Sequence, residues 1–278
     1  MTRQRITITI KNELLKMLDN FIDGSRIRNR SHAIEYIISK QLVPKDIKAF
    51  ILAGGPGINF RPLTNDTPKA MIPVHDKPLL EYTLESLHKN NIKNIVLAVG
   101  FLGNKIKKYF KNGSSQGVRI IYSRDKIKNP GTVAPFITAR RYLKDNPFLV
   151  IHGDLLTKIN FLELINFHKS HKGLVTMALT PVNNPSNWGV AHMQGNIINE
   201  FQEKPRKPRG KSHLVNSGIY VFSPEVFKFL NKKQKSIEKE LFPKLAKMGK
   251  LYGYPFEEEW HDVSTPEIYA HVIRHWQG

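Results

Sequence analysis

The chain has 278 residues, 43 Lys and Arg against 23 Asp and Glu, a formal net charge of +20 and no cysteine. Zero cysteine excludes disulfides and thiolate metal centres. No apolar leader-like core and no run of about 20 apolar residues occurs, so a cytoplasmic protein without a membrane partner is expected. The positive charge favours polyanionic partners such as nucleotides or nucleic acid. It is spread along the chain, with an excess of four cations in residues 1–43 and sixteen in the remainder.

Residues 3–10 alternate strictly, Arg3, Arg5, Thr7 and Thr9 against Gln4, Ile6, Ile8 and Ile10. Period two with β-branched residues predicts a strand with one buried face. A helical stripe follows (Leu14, Leu15, Leu18, Phe21, Ile22), stopped by Gly24. A second helix, capped by Asn29 or Ser31, carries Ala33, Ile34, Ile37, Ile38 and Leu42 and ends at Pro44. A lone strand leaves its backbone groups unpaired, so the same strand of a second chain is its simplest partner. This strand–helix–helix order resembles the ribbon-helix-helix DNA-binding domains. The resemblance implies a domain at 1–43, a homodimer or higher even-numbered oligomer, and double-stranded DNA as partner. It places base reading on Arg5, Thr7 and Thr9, with Arg3 beside them, and phosphate contact on Asn29, Arg30 and Ser31.

From residue 47 onward apolar runs alternate with helical stretches, the mark of an α/β layer with a mixed, mostly parallel sheet. Strands are predicted at 49–53, 94–99, 119–122, 148–151, 175–179 and 217–222. Helices are predicted at 79–91, 103–111, 134–143, 161–169 and 224–230. The first strand runs directly into Gly54, Gly55 and Gly57. A Gly-rich loop after a buried strand lets several backbone N–H groups approach a polyphosphate, although a plain tight turn uses the same residues. The basic, Pro-rich stretch 204–211 reads as a solvated loop that could also meet an anion.

The string Leu52-Ala-Gly-Gly-Pro-Gly57 through Pro68-Lys69-Ala-Met-Ile-Pro-Val74 resembles the signature of sugar-1-phosphate nucleotidyltransferases. Further pieces follow in the family's order: Phe148 to Gly153-Asp154, Phe201-Gln-Glu203-Lys204-Pro205, Val215-Asn216-Ser-Gly218-Ile-Tyr, Lys235-Ser-Ile-Glu, and Trp260-His-Asp262. The resemblance implies a Rossmann-like nucleotide-diphospho-sugar transferase fold over residues 47–278 and the joining of a nucleoside triphosphate to a sugar-1-phosphate. Leu52, Ala53, Gly54, Gly55, Gly57 and Asn59 would line the nucleotide, with Gly131 and Thr132 near the base. Lys69 and Arg61 would neutralise phosphate charge, and Asp154 and Asp262 would hold Mg²⁺. Glu203, Lys204, Asn216 and Gly218 would bind the sugar phosphate. One departure stands out. Ile58-Asn59 occupies the place of a family Thr-Arg, which removes a cation aimed at the leaving pyrophosphate. The alternative function is a DNA-binding regulator whose transferase-like domain senses a nucleotide or nucleotide sugar.

Overall fold

The computed structural model describes residues 6–25, 27–41, 47–124, 131–206, 210 and 212–278. Arg3 and Arg5 lie outside the described residues. The chain divides into two compact units, residues 1–44 and 45–278.

The first unit contains helices α1 (Asn12–Asp19) and α2 (Arg30–Gln41). Leu18, Ile27 and Ala33 form its small core, with Leu15, Ile22, Ile34, Tyr36 and Ile37 packed around them. The link between the helices is folded locally. Asp23 Oδ1 accepts from the backbone N–H of Ser25 and of Ile27, each at 2.9 Å, and Gly24 takes the left-handed conformation that suits glycine. Asn29 caps α2, its Oδ1 accepting from His32 N at 2.9 Å. Of the strand predicted at 3–10, residues 6–10 carry no regular structure in the single chain, and Ile6 and Ile8 are exposed. Among the described residues they meet no partner strand, in keeping with a strand that needs a second chain to complete its backbone hydrogen bonds.

The second unit holds the remaining elements in the order β1 (Lys48–Ala53), β2 (Pro73–Val74), β3 (Lys77–Pro78), α3 (Leu79–Lys89), β4 (Asn94–Val99), α4 (Gly103–Phe110), β5 (Arg119–Arg124), α5 (Val133–Leu143), β6 (Phe148–His152), β7 (Leu155–Thr157) and α6 (Phe161–Lys169). There follow β8 (Val175–Pro181), β9 (Gly189–Gln194), β10 (Ile197–Glu203), β11 (Leu214–Phe222), α7 (Phe242–Lys247), β12 (Leu251–Pro255), β13 (Trp260–Asp262) and α8 (Pro266–His275). Nine strands form one sheet in the order β5-β4-β1-β6-β11-β8-β12-β10-β9. From β5 to β6 all pairings are parallel. β1, β4 and β6 are near-continuous apolar runs, as strands covered on both faces are, while the edge strand β5 carries exposed arginines at both ends. Phe50, Phe136, Phe148 and Phe222 meet in the core, Phe50 edge-on to Phe136 at 5.0 Å.

The sheet is mixed, as expected, but parallel in only half of its neighbour pairings: beyond β6, β8 and β12 alone run parallel. β11 runs antiparallel to β6 and β8, and β10 antiparallel to β9 and β12. The β9–β10 hairpin closes through a two-residue Gly195-Asn196 turn, which can only join antiparallel strands. The predicted helix 224–230 is instead a 3₁₀ turn, Pro224–Lys228. Among the described residues no helix is long and apolar enough to cross a membrane.

After β1 the chain moves outward to β4 and β5, then returns to place β6 on the other side of β1. That reversal opens a crevice beyond the carboxyl ends of β1 and β6, where ligands of open α/β sheets bind.

Candidate active site

The crevice is built by close backbone contacts that explain the glycines. A Cβ on Gly100 would stand 2.6 Å from Gly54 O, and Phe101 N donates to that same oxygen at 3.1 Å. Gly57 has φ +60, and a Cβ there would lie 2.9–3.0 Å from the side chains of Thr64 and Lys69. The buried Thr64 hydroxyl donates to Gly57 O at 2.6 Å and folds the loop back toward Lys69. Leu52 O accepts from Gly153 N at 2.9 Å, so the ends of β1 and β6 are tied together.

These contacts set the Lys69 ammonium against Asp154 Oδ2 in a part-buried ion pair. β13 pairs with β7 so that Asp262 lies opposite Leu155, and Val263 N donates to Asp154 O at 3.1 Å. The two aspartates, 108 positions apart in the sequence, are thereby neighbours. Burial works to raise the Asp154 carboxyl, but the Lys69 charge beside it holds it below the usual range. Burial and the Asp154 charge push the Asp262 carboxyl up. Asp262 Oδ2 accepts from Trp188 Nε1 at 3.2 Å. It does not cap α8; Thr265 does, its Oγ1 accepting from Ile268 N at 3.4 Å. Two adjacent carboxylates answered by one lysine form an oxygen donor set that fits Mg²⁺, which takes one or two carboxylates and fills its shell with water and substrate oxygens.

Beside this pair a cleft with room for about 150 Å³ is lined by Glu203, Lys204, Asn216 and Gly218 together with Asp262. Four predicted sugar-side residues and one predicted metal ligand therefore share one wall. Asn216 Oδ1 accepts from Gly218 N at 3.0 Å, bending β11 where its register with β8 shifts. Gly218 has φ +76, which glycine tolerates best. Lys204 is also left-handed, φ +45, and its N donates to Trp188 O at 3.1 Å. A strained lysine held this way is typical of binding sites. Burial and then Glu238 raise the Glu203 carboxyl.

The remaining predicted residues are placed differently. Asn59 and Arg61 are exposed at the 3₁₀ turn Ile58–Phe60, as is Ile58, while Gly55 has open space around it. Gly131 and Thr132 grip the segment 235–238. Thr132 N donates to Lys235 O at 2.8 Å, and the Thr132 hydroxyl donates to Glu238 Oε2 at 2.8 Å. In the first unit Thr7, Thr9, Asn29 and Ser31 are exposed, and Arg30 forms a two-bond pair with Asp19 at 2.7 and 2.9 Å.

Seven residues of the cleft wall were missed from sequence, among them the aromatic and ionisable side chains of His152, Trp188, Glu238 and Trp260. Trp260 Nε1 donates to Ser217 O at 2.9 Å, and its ring meets Trp188 edge-on at 6.1 Å. His152, Glu238 and Trp260 fall inside recognised strings and could have been read from them. Trp188 carries no comparable local signal.

The family model described as Nucleotidyl transferase matches residues 48–277, nearly the whole second unit. The chain belongs to the nucleotidyl transferase family. Among similar curated proteins are the mannose-1-phosphate guanylyltransferase catalytic subunit beta of Xenopus tropicalis, 35% identical over 226 residues, and mannose-1-phosphate guanyltransferase 2 of Candida glabrata, 37% identical over 230. Each alignment covers 80% of this chain and 62% of the relative, so the chain spans about three fifths of the length of the curated relatives it matches. A solved UDP-glucose pyrophosphorylase, complexed with UDP-glucose, superposes with a TM-score of 0.72 at 22% identity, over 83% of this chain and 98% of that one. At that identity the likeness speaks for the fold.

Proposed function

We propose that the second unit is an enzyme that joins a nucleoside triphosphate to a sugar-1-phosphate, releasing pyrophosphate. The observation that carries this reading is the Lys69–Asp154 pair beside Asp262, opening directly into the cleft of Glu203, Lys204 and Asn216. The names of the relatives favour GTP and mannose-1-phosphate as the pair of substrates. In the reaction an oxygen of the sugar phosphate attacks the α-phosphorus. The bond from that phosphorus to the bridging oxygen breaks, and pyrophosphate leaves with the electron pair.

Such transfers depend on alignment and charge neutralisation more than on proton movement. Gly54, Gly55 and Gly57 let the backbone approach the triphosphate. Lys69 sets a positive charge at the reacting phosphates, and Lys204, fixed by its backbone, meets the sugar phosphate. Glu203 and Asn216 orient sugar hydroxyls, while Trp188 and Trp260 cover the cleft. Asp154 and Asp262 would hold Mg²⁺, which supplies further charge neutralisation when bound. Arg61, exposed two residues beyond Asn59, is the nearby cation available to the leaving group.

The test is pyrophosphate release with Mg²⁺ across a panel of nucleoside triphosphates and sugar-1-phosphates. Release with one pair supports the reading and names the substrates. No release and no nucleotide-sugar binding would overturn it.

A second reading is favoured by the first unit. Ile6, Ile8, Leu14, Met17 and Phe21 are all exposed on a small basic unit. We read them as the surface that pairs two chains through a ribbon, giving a homodimer that binds double-stranded DNA through Thr7 and Thr9. If the transferase site binds a nucleotide sugar without turnover, the whole chain is a regulator. Affinity for duplex DNA should then fall steeply with salt, because each phosphate contact releases counterions. Absence of binding at low salt would remove the DNA role.

A further inference from the structure

His152, the last residue of β6, is assigned no role by the reaction described above. It stands two residues before Asp154, which lies in the turn that follows the strand. Its ring lies against Gly218, where a Cβ would be 3.1 Å from Nδ1, and 5.9 Å from the ring of Tyr220. These neighbours hold the imidazole at the cleft wall with Leu155, Trp188 and Glu203. Its Nε2 is buried and has no hydrogen-bond partner among the described residues. Buried polar atoms are normally paired, so an exception inside a cleft points to a partner that arrives with the ligand.

Glu238 Oε1 lies 4.0 Å from that nitrogen, beyond hydrogen-bond reach. The carboxylate cannot readily swing closer. Its other oxygen accepts from the Thr132 hydroxyl at 2.8 Å and from the Ser236 hydroxyl at 2.6 Å. Ser236 Oγ in turn accepts from Lys239 N at 3.1 Å, and Thr132 Oγ1 accepts from Ile237 N at 2.9 Å. A fixed donor and a fixed acceptor thus stand 4.0 Å apart, too far to bond each other and both within reach of an oxygen set to one side of the line between them. An oxygen about 2.8 Å from each closes the triangle with an angle of roughly 90°, within the range of hydroxyl hydrogen bonding.

We propose that His152 and Glu238 clamp one hydroxyl of the sugar-1-phosphate between them, a specificity contact that rests on the nucleotidyl transfer proposed above. An imidazole with its proton on Nε2 donates through that nitrogen. Nε2–H donates to the hydroxyl oxygen, and the hydroxyl proton is donated to Glu238 Oε1. A hydroxyl satisfies both groups at once; a hydrogen in its place leaves both unpaired. Sites built this way discriminate strongly against the deoxy analogue.

The test uses the full chain with GTP, Mg²⁺, mannose-1-phosphate and its monodeoxy analogues, with pyrophosphate release as readout. One analogue should raise the wild-type KM by about 10- to 100-fold while the others change it far less. His152→Leu should raise the KM for mannose-1-phosphate by a similar factor, leave the KM for GTP within about twofold, and no longer distinguish that analogue. His152→Gln, which keeps a donor, should recover part of the loss, and Glu238→Gln should blunt the same discrimination. An unchanged sugar KM in His152→Leu, or equal losses on every analogue, overturns the clamp while leaving the transfer reaction standing. Should His152→Leu fail to fold, the wild-type analogue series and Glu238→Gln decide, and a wild type indifferent to each single hydroxyl overturns the clamp. A wild type that releases pyrophosphate with no pair of the nucleoside triphosphate and sugar-1-phosphate panel and binds no nucleotide sugar overturns the reaction itself and the clamp with it.

Discussion

The second unit should lose stability in mild acid through one buried histidine. His168, near the end of α6, has Nδ1 2.8 Å from the Thr176 hydroxyl on β8 and Nε2 2.9 Å from the Ser223 hydroxyl just after β11. Burial, with His171 and Lys169 adding positive charge nearby, pushes its pKa from 6.5 down to about 4. The folded state therefore refuses a proton that the unfolded chain accepts below about pH 6.5. Stability from this group is full above that pH and declines as pH falls toward 4. At pH 5 the unfolded imidazole is almost fully charged and the folded one almost neutral, a difference of about 2 kcal/mol relative to pH 8. For a unit of this size that lowers the melting temperature by about 4–8 °C. His171 is shifted in the same direction but is much less buried, so solvent screening reduces its share. Thermal unfolding followed by circular dichroism at pH 8 and pH 5 measures the loss. His168→Gln can keep hydrogen bonds to both hydroxyls without titrating, so its pH 8 to pH 5 loss should be smaller by about 2 kcal/mol. Equal losses in wild type and variant would refute the argument.

Three further outcomes concern the site. Asp154→Asn should abolish Mg²⁺-dependent nucleotide binding in calorimetry, since it removes half of the carboxylate pair and leaves Lys69 without its partner; unchanged binding would show that the metal is held elsewhere. Asn59→Arg should raise kcat at least tenfold, because a cation at a developing phosphate charge is worth on the order of 10²–10⁴ in rate. No gain would mean that Arg61 already serves the leaving group. Gly218→Ala forces a side chain into a left-handed position against His152 and Leu155, costing about 1–2 kcal/mol of stability and raising the sugar KM more than the nucleotide KM; equal effects on both would separate Gly218 from the sugar side.

How much of this could be read in the sequence depended on how local the signal was. β4 and α6 fall where periodicity places them because continuous apolar runs and amphipathic stripes are local properties. The Gly54–Gly57 loop, Lys69, Asp154 and Asp262 were found through strings whose order survives along the chain. The β9–β10 hairpin was not, because it ends the sheet, mixes polar and apolar residues, and signals itself only through Gly195-Asn196. α7 was hidden by Pro243, which reads as a helix stop yet sits in the first turn, where proline is tolerated. His152 and Glu238 lie 86 residues apart. Their facing arrangement exists only once β6 and the 235–238 segment have been brought together.

The placement of the departures from the family pattern bears on what was lost and what was kept. Ile58 and Asn59 sit on an exposed turn, whereas Thr64, Gly57 and Lys69 interlock beneath it. A change in the exposed turn can alter the charge offered to a leaving group without disturbing the buried ion pair. The carboxylates, by contrast, are fixed by the β7–β13 pairing and the Val263 N to Asp154 O bond, and moving them would disrupt strand pairing. On the proposed reading, binding and catalysis would be separable: the crevice would retain its ligands while the turn above it sets the rate. Selection on the turn alone would convert an enzyme into a sensor, or a sensor into an enzyme, with little effect on the fold.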